Sequence, residues 1–145
     1  MGHKRKKTDK ASENIDDFID KIDIDLATLE KFGSALLVVG YILFIKGADL
    51  DILDTLNINE TGFTATSVTL EGGKLILLGY IVLFLVADYR LREKIFIVDV
   101  EDKSILLSPY SKLYGAYLIS ILVNLVRVEA LYELDYINRN GETIV

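Results

Sequence analysis

Three apolar stretches without a single charged residue constrain the fold of this chain more than any other feature. They run over residues 32–45, 75–87 and 113–126. Within each stretch the apolar residues cover every side of a helix, so that no polar face is left to meet water. A compact chain of 145 residues cannot enclose three helices of this kind in a soluble core. The pattern therefore predicts helices that lie in a lipid bilayer.

Basic residues at the ends of these stretches extend them to the length that a bilayer requires. A spanning helix needs about 20 residues, and Lys or Arg side chains can snorkel from inside the span to the interface. Counting Lys46, Lys74 and Lys112 as such residues gives spans at 32–49, 72–90 and 110–127. The prediction is an all-α integral membrane protein with three transmembrane helices. The alternative is a soluble helical bundle, because 10–14 consecutive apolar residues also occur in buried core helices.

The distribution of Lys and Arg predicts the orientation of the spans. Residues 1–31 contain seven of them and residues 88–112 contain five, whereas residues 46–74 and 127–145 contain two each. The positive-inside rule then places the N-terminus and the second loop in the cytoplasm. The first loop and the C-terminus are expected outside the plasma membrane.

The segments between the spans carry weaker signals. Residues 1–12 are polar and basic, and we expect a disordered tail beside the anionic leaflet. Residues 13–31 repeat apolar residues every three or four positions, which predicts a cytoplasmic amphipathic helix continuous with the first span. An outside loop at 50–71, a cytoplasmic loop at 91–109 and an outside C-terminal tail at 128–145 complete the predicted organisation.

The cytoplasmic loop contains two apolar runs around a turn-like sequence. Residues 95–100 and 104–107 flank the polar residues 101–103. This pattern favours a small β-hairpin, and a helix lying at the membrane interface is the alternative.

Small residues at regular spacing form the most informative pattern inside the spans. They are Gly33, Gly40 and Gly47 in the first span, Gly72 and Gly79 in the second, and the pairs Ser111–Gly115 and Ala116–Ser120 in the third. In lipid, small residues allow helix backbones to approach closely, and a spacing of seven keeps them on one face. We expect these residues to be helix-packing positions. The alternative is that glycine is simply frequent in membrane helices.

The residues that most catalytic and metal sites require are missing from the apolar stretches. The chain has no Cys and a single His, His3, in the basic tail, which excludes a cysteine nucleophile and a Cys-based zinc site. A Ser-His triad is disfavoured for the same reason. We therefore expect no catalytic residue, no metal site and no cofactor. The basic run at 4–7 is explained by membrane topology, so no nucleic acid partner is predicted.

Four polar side chains lie nearest the interior of the spans: Tyr41, Tyr80, Tyr117 and Asn124. They are expected to form hydrogen bonds between helices.

These features predict a small non-enzymatic multi-pass membrane protein. Its expected partners are the lipid bilayer and either further copies of itself, as a homo-oligomer, or another membrane protein of which it is an accessory subunit. The alternative is a small channel, holin-like or transporter-type protein, although a pore normally needs more polar lining than these spans offer. A membrane enzyme is the least favoured class, and the biological role itself is not encoded in any recognisable motif.

Overall fold

The computed structural model describes the backbone of residues 3–101 and 105–141, and the side chains of residues 20–99 and 105–141. The described residues form three helices, which we number α1 (His3–Thr55), α2 (Ala65–Glu101) and α3 (Ser108–Asn140). The described part of the chain contains no strand, so the prediction of an all-α fold with three helices is confirmed.

The predicted β-hairpin is wrong for the residues that the structure describes. Residues 95–101 continue α2 as helix, residues 105–107 are irregular, and residues 102–104 lie outside the described residues. No Gly or Pro interrupts the chain between the apolar stretch of α2 and Glu101, so helix propagation costs less than starting a new element. An isolated two-stranded hairpin would also have no third strand or sheet to support it.

The other predicted segments are more helical than the sequence patterns indicate. The first loop shrinks from 50–71 to the nine residues 56–64, and the C-terminal segment 128–145 is helical as far as Asn140. The basic segment 1–12 is helical from His3 onward, and α1 runs without a break through residues 13–31. Apolar stretches mark only the part of a helix that avoids water, whereas the helix itself continues until a turn residue ends it.

Turn residues do end the helices at the expected kind of position. Pro109 lies in the first turn of α3, where its missing N–H is not needed, and Gly141 caps the other end in the left-handed conformation with φ 64°. Asn57 (φ 56°) and Gly62 (φ 76°) provide the two left-handed positions that reverse the chain between α1 and α2.

The second helix lies at the centre of the fold and packs against both of the others. Each contact is antiparallel: Gly33 of α1 meets Gly79 of α2, and Thr66 of α2 meets Asp135 of α3. The buried apolar side chains concentrate at these contacts: Leu26, Leu70, Ile76, Leu83, Val86 and Ala87. Many of the other large apolar side chains on the three helices are exposed.

Within the described residues, two helices are long and apolar enough to cross a membrane. They are α2, over Ala65–Asp99, and α3, over Ser108–Asn140. The neighbouring helices cover them to different extents. Of the most apolar 18 residues, 44% are buried in α2 and only 6% in α3. Much of the apolar surface of α3 is therefore free to meet other molecules.

Candidate functional site

The contact between α1 and α2 is built on paired glycines. Gly33 lies against Gly79, and Gly40 lies against Gly72. Gly47 faces Ala65 and Thr69, at the start of α2. Because the spacing of seven is two helical turns, the glycines of each helix follow one line along the contact.

Only glycine fits at the centre of this contact. A Cβ atom added to Gly40 would lie 2.5 Å from Ile76 Cγ1 and 2.7 Å from the carbonyl oxygen of Gly72. A Cβ added to Gly79 would lie 2.8 Å from the carbonyl oxygen of Gly33. The two backbones thus touch directly, which is the packing that small residues allow between membrane helices.

The contact between α2 and α3 uses large side chains instead. The Phe84 and Tyr114 rings lie 4.9 Å apart between centroids, and those of Tyr80 and Tyr117 lie 6.5 Å apart. Both distances fall in the range of favourable aromatic pairs. A small residue lies here too, because a Cβ added to buried Gly73 would lie 3.0 Å from Leu131 Cδ1 and 3.4 Å from Val128 Cγ2 of α3.

The small residues of α3 lie away from α2. Ser111 and Ala116 are exposed, Gly115 and Ser120 are half-buried, and a Cβ added to Gly115 would have nothing within 4 Å. Helical spacing puts Ser111 and Gly115 on a different face from Ala116 and Ser120. The structure therefore brings the glycines of α1 and α2 together and leaves the small residues of α3 out of that contact.

A polar contact through Asn124 and Arg127 links α3 to α1, and the two helices lie on either side of α2. Asn124 is buried and donates from Nδ2 to the Ser120 carbonyl oxygen at 2.8 Å. Arg127 donates from Nη1 to Asn124 Oδ1 at 3.2 Å, and its guanidinium lies 5.9 Å from the centroid of the Phe44 ring on α1. This is a cation–π contact. Asn124 was expected to bond between helices, but its Nδ2 bonds within α3, and Arg127 provides the link to α1.

Two small cavities are each lined by residues of all three helices. One of about 110 Å³ is bounded by Leu83, Val86 and Tyr117 together with the Glu30–Arg90 ion pair. The other, of about 300 Å³, lies between Gly47, Thr66 and Leu131. A third cavity, of about 280 Å³ between α2 and α3, is lined by the charged side chains of Glu71, Lys74, Asp135 and Arg139. Among the described residues no three His, Cys, Asp or Glu side chains are placed to hold a metal ion.

An ion pair lies near each end of the bundle. Arg90 Nη2 of α2 lies 2.7 Å from Glu30 Oε2 of α1. At the opposite end, buried Asp135 pairs with Arg139 Nε at 2.8 Å and accepts a 3.4 Å hydrogen bond from Thr66 Oγ1. The i,i+4 spacing of Asp135 and Arg139 is a pattern the sequence offers, whereas Glu30 and Arg90 meet only through the fold.

Comparisons with models of known protein families, with curated proteins and with solved structures found no match for this chain.

Proposed function

We propose that this chain is a small, non-enzymatic, three-span protein of the plasma membrane that acts by associating with other membrane helices. In this proposal α1 crosses the bilayer together with α2 and α3, with the N-terminus in the cytoplasm and the C-terminus outside. The first partner we propose is a second copy of the chain. The second is a different membrane protein, to which the chain would bind as an accessory subunit.

The observation that carries the proposal is the large number of apolar side chains on the outside of the bundle. Val38, Ile45, Leu85, Ile119 and Val126 are all exposed, while the α1–α2 contact brings glycine backbones together. A soluble domain rarely exposes a contiguous apolar surface of this extent, whereas lipid-facing helices do so at no cost.

The face of α3 that carries Ser111 and Gly115 is the surface we propose for self-association. Leu118 and Leu122 continue it at spacings of three and four, and both are exposed. The open space beside Gly115 would let a second helix approach as closely as α1 approaches α2. The other face, with Ala116 and Ser120, lies on the side of Arg127 and therefore towards α1.

Single-cysteine cross-linking in membranes tests this proposal, because the natural chain has no Cys that could interfere. We expect Ser111→Cys to form a covalent dimer under mild oxidation. Leu78→Cys, which places the thiol on the exposed face of α2, is the matched control and is expected to remain monomeric. Adding Gly115→Leu to the Ser111→Cys variant should reduce the dimer, since a leucine would fill the space that the second helix needs.

Two outcomes would contradict the proposal at different levels. Equal cross-linking of the Ser111→Cys and Leu78→Cys variants would show that the chains meet by random collision and do not associate through one face of α3. Release of the protein from membranes by alkaline carbonate would show that the helices do not span the bilayer.

A further inference from the structure

The turn between α1 and α2 is closed by its own polar groups. Asn59 Nδ2 donates to Asp54 Oδ1 at 2.7 Å and to the Phe63 carbonyl oxygen at 3.0 Å. Asn59 Oδ1 accepts from the Thr61 backbone N–H at 3.0 Å and from Thr61 Oγ1 at 2.6 Å. Backbone polar groups that are satisfied inside a segment lower the cost of bringing that segment into an apolar environment.

This turn presents large apolar side chains outward. Leu56 is 60% exposed, Ile58 57% and Phe63 65%, and the last turn of α1 adds the exposed side chain of Ile52. The polar network contacts Phe63 only through its backbone, so the ring can contact lipid.

The apolar surface of the turn continues the outward face of α1. Val38, Ile42, Ile45 and Ile52 lie on the side of α1 opposite the glycines and are exposed, with the charged Asp49 on the same face between Ile45 and Ile52. Gly47 lies opposite Ala65, the first residue of α2, so residues 48–55 project past α2 by roughly 12 Å. Beyond Asp49, the projecting part of α1 thus returns to apolar side chains on the face that we assign to lipid.

Exposed aromatic side chains gather at this end of the bundle. Tyr132 and Tyr136 flank Asp135, which contacts Thr66 beside the turn, and both tyrosines are exposed. Aromatic residues concentrate where membrane helices cross the interface between hydrocarbon and water. Phe63 therefore lies at the level where interfacial aromatic residues are expected.

We propose that the 56–64 turn, with Ile52, Ile58 and Phe63, inserts into the outer lipid interface and anchors α1 there. This inference rests on the proposed membrane location. Its partner is a lipid surface, because Ile52 shares the face of α1 that we assign to lipid and exposed aromatic side chains lie at the same level of the bundle. Acidic side chains surround the anchor, namely Asp49, Asp51, Asp54 and Glu60. The anchor should therefore prefer zwitterionic to anionic lipid.

A single tryptophan at position 63 can report the depth of the turn, because the natural chain contains no Trp. The Phe63→Trp variant is reconstituted in phosphatidylcholine vesicles whose acyl chains carry bromine near the headgroup or near the chain end. We expect a blue-shifted emission and a loss of intensity that is larger with the shallow bromines. Replacing part of the lipid by phosphatidylglycerol should weaken this quenching, and salt should restore it by screening.

Leu85→Trp is the matched control on the exposed face of α2. We expect bromine to quench it wherever the helices span the bilayer. Water-like, unquenched emission from the Phe63→Trp variant alongside a quenched Leu85→Trp variant would overturn the anchor and leave the membrane location intact. Blue-shifted but unquenched emission would show that protein covers the turn, which also overturns it. If neither variant is quenched, the proposed membrane location itself is wrong.

Discussion

At the scale of single residues, glycine decides how closely the first two helices approach. Gly40 and Gly115 are both helical glycines with the same intrinsic cost, yet a Cβ at position 40 would strike Gly72 and Ile76 while one at position 115 would meet nothing. The difference arises from the neighbour and not from the residue, so the two positions form a natural pair for comparison.

We expect Gly40→Ala to destabilise the fold by about 1–3 kcal/mol, because the extra methyl overpacks a contact that includes a rigid carbonyl. Gly115→Ala should instead be neutral or stabilising by up to about 1 kcal/mol through helix propensity. Unfolding by SDS in mixed micelles, followed by far-ultraviolet circular dichroism, measures both variants. Equal destabilisation by the two substitutions would contradict the paired-glycine contact.

At the scale of helices, α1 packs on α2 through its glycines and the side chains around them, and an ion pair joins Glu30 to Arg90. Glu30 and Arg90 approach to 2.7 Å, and both side chains remain partly exposed, at 42% and 34%. Partly exposed pairs of this kind contribute little, since water and salt screen them. The pair therefore helps to set the register of the two helices more than their total stability.

A charge reversal tests that role. We expect Glu30→Arg to lower the stability of the α1–α2 contact by about 1 kcal/mol or less, because two like charges would then face each other. Adding Arg90→Glu should recover most of the loss, and high salt should shrink the difference. Energy transfer between dyes on α1 and α2 during SDS unfolding provides the measurement. A double variant no more stable than the Glu30→Arg variant would argue against the pairing.

At the scale of the whole molecule, α2 packs against both α1 and α3, and the described residues show no polar path along the length of the bundle. α3 reaches α1 where Arg127 lies over the Phe44 ring, and the two cavities lined by all three helices are largely apolar. The cavity with a charged lining is bounded by residues 70–74 and 132–139, at one end of the bundle. A conducting pore requires a polar or charged lining along its length.

We therefore expect that proteoliposomes containing the purified chain do not conduct ions. The measurement is the change in fluorescence of a trapped potassium-sensitive indicator under a potassium gradient, with an ionophore as the positive control. Sustained, protein-dependent flux would favour the channel-type alternative over the association that we propose.

The sequence by itself determined the number of helices and their all-α class, because charge-free stretches and the residues that end a helix are local features. It also singled out the regular glycines, since spacing on a helix follows from geometry alone. Helix ends were less predictable. A β-hairpin is expected over residues 95–107, but the chain is helical as far as Glu101, because the apolar pattern of this segment fits a strand and a helix equally well.

Only the tertiary structure decided which surfaces meet. Glycines of α1 and α2 lie against each other, whereas Gly115 faces open space and the aromatic residues of α3 contact α2. Glu30 and Arg90 stand 60 positions apart in the sequence, and no spacing rule could pair them. Neighbour relations of this kind depend on how whole helices pack together, and a linear pattern records only which face of each helix is available.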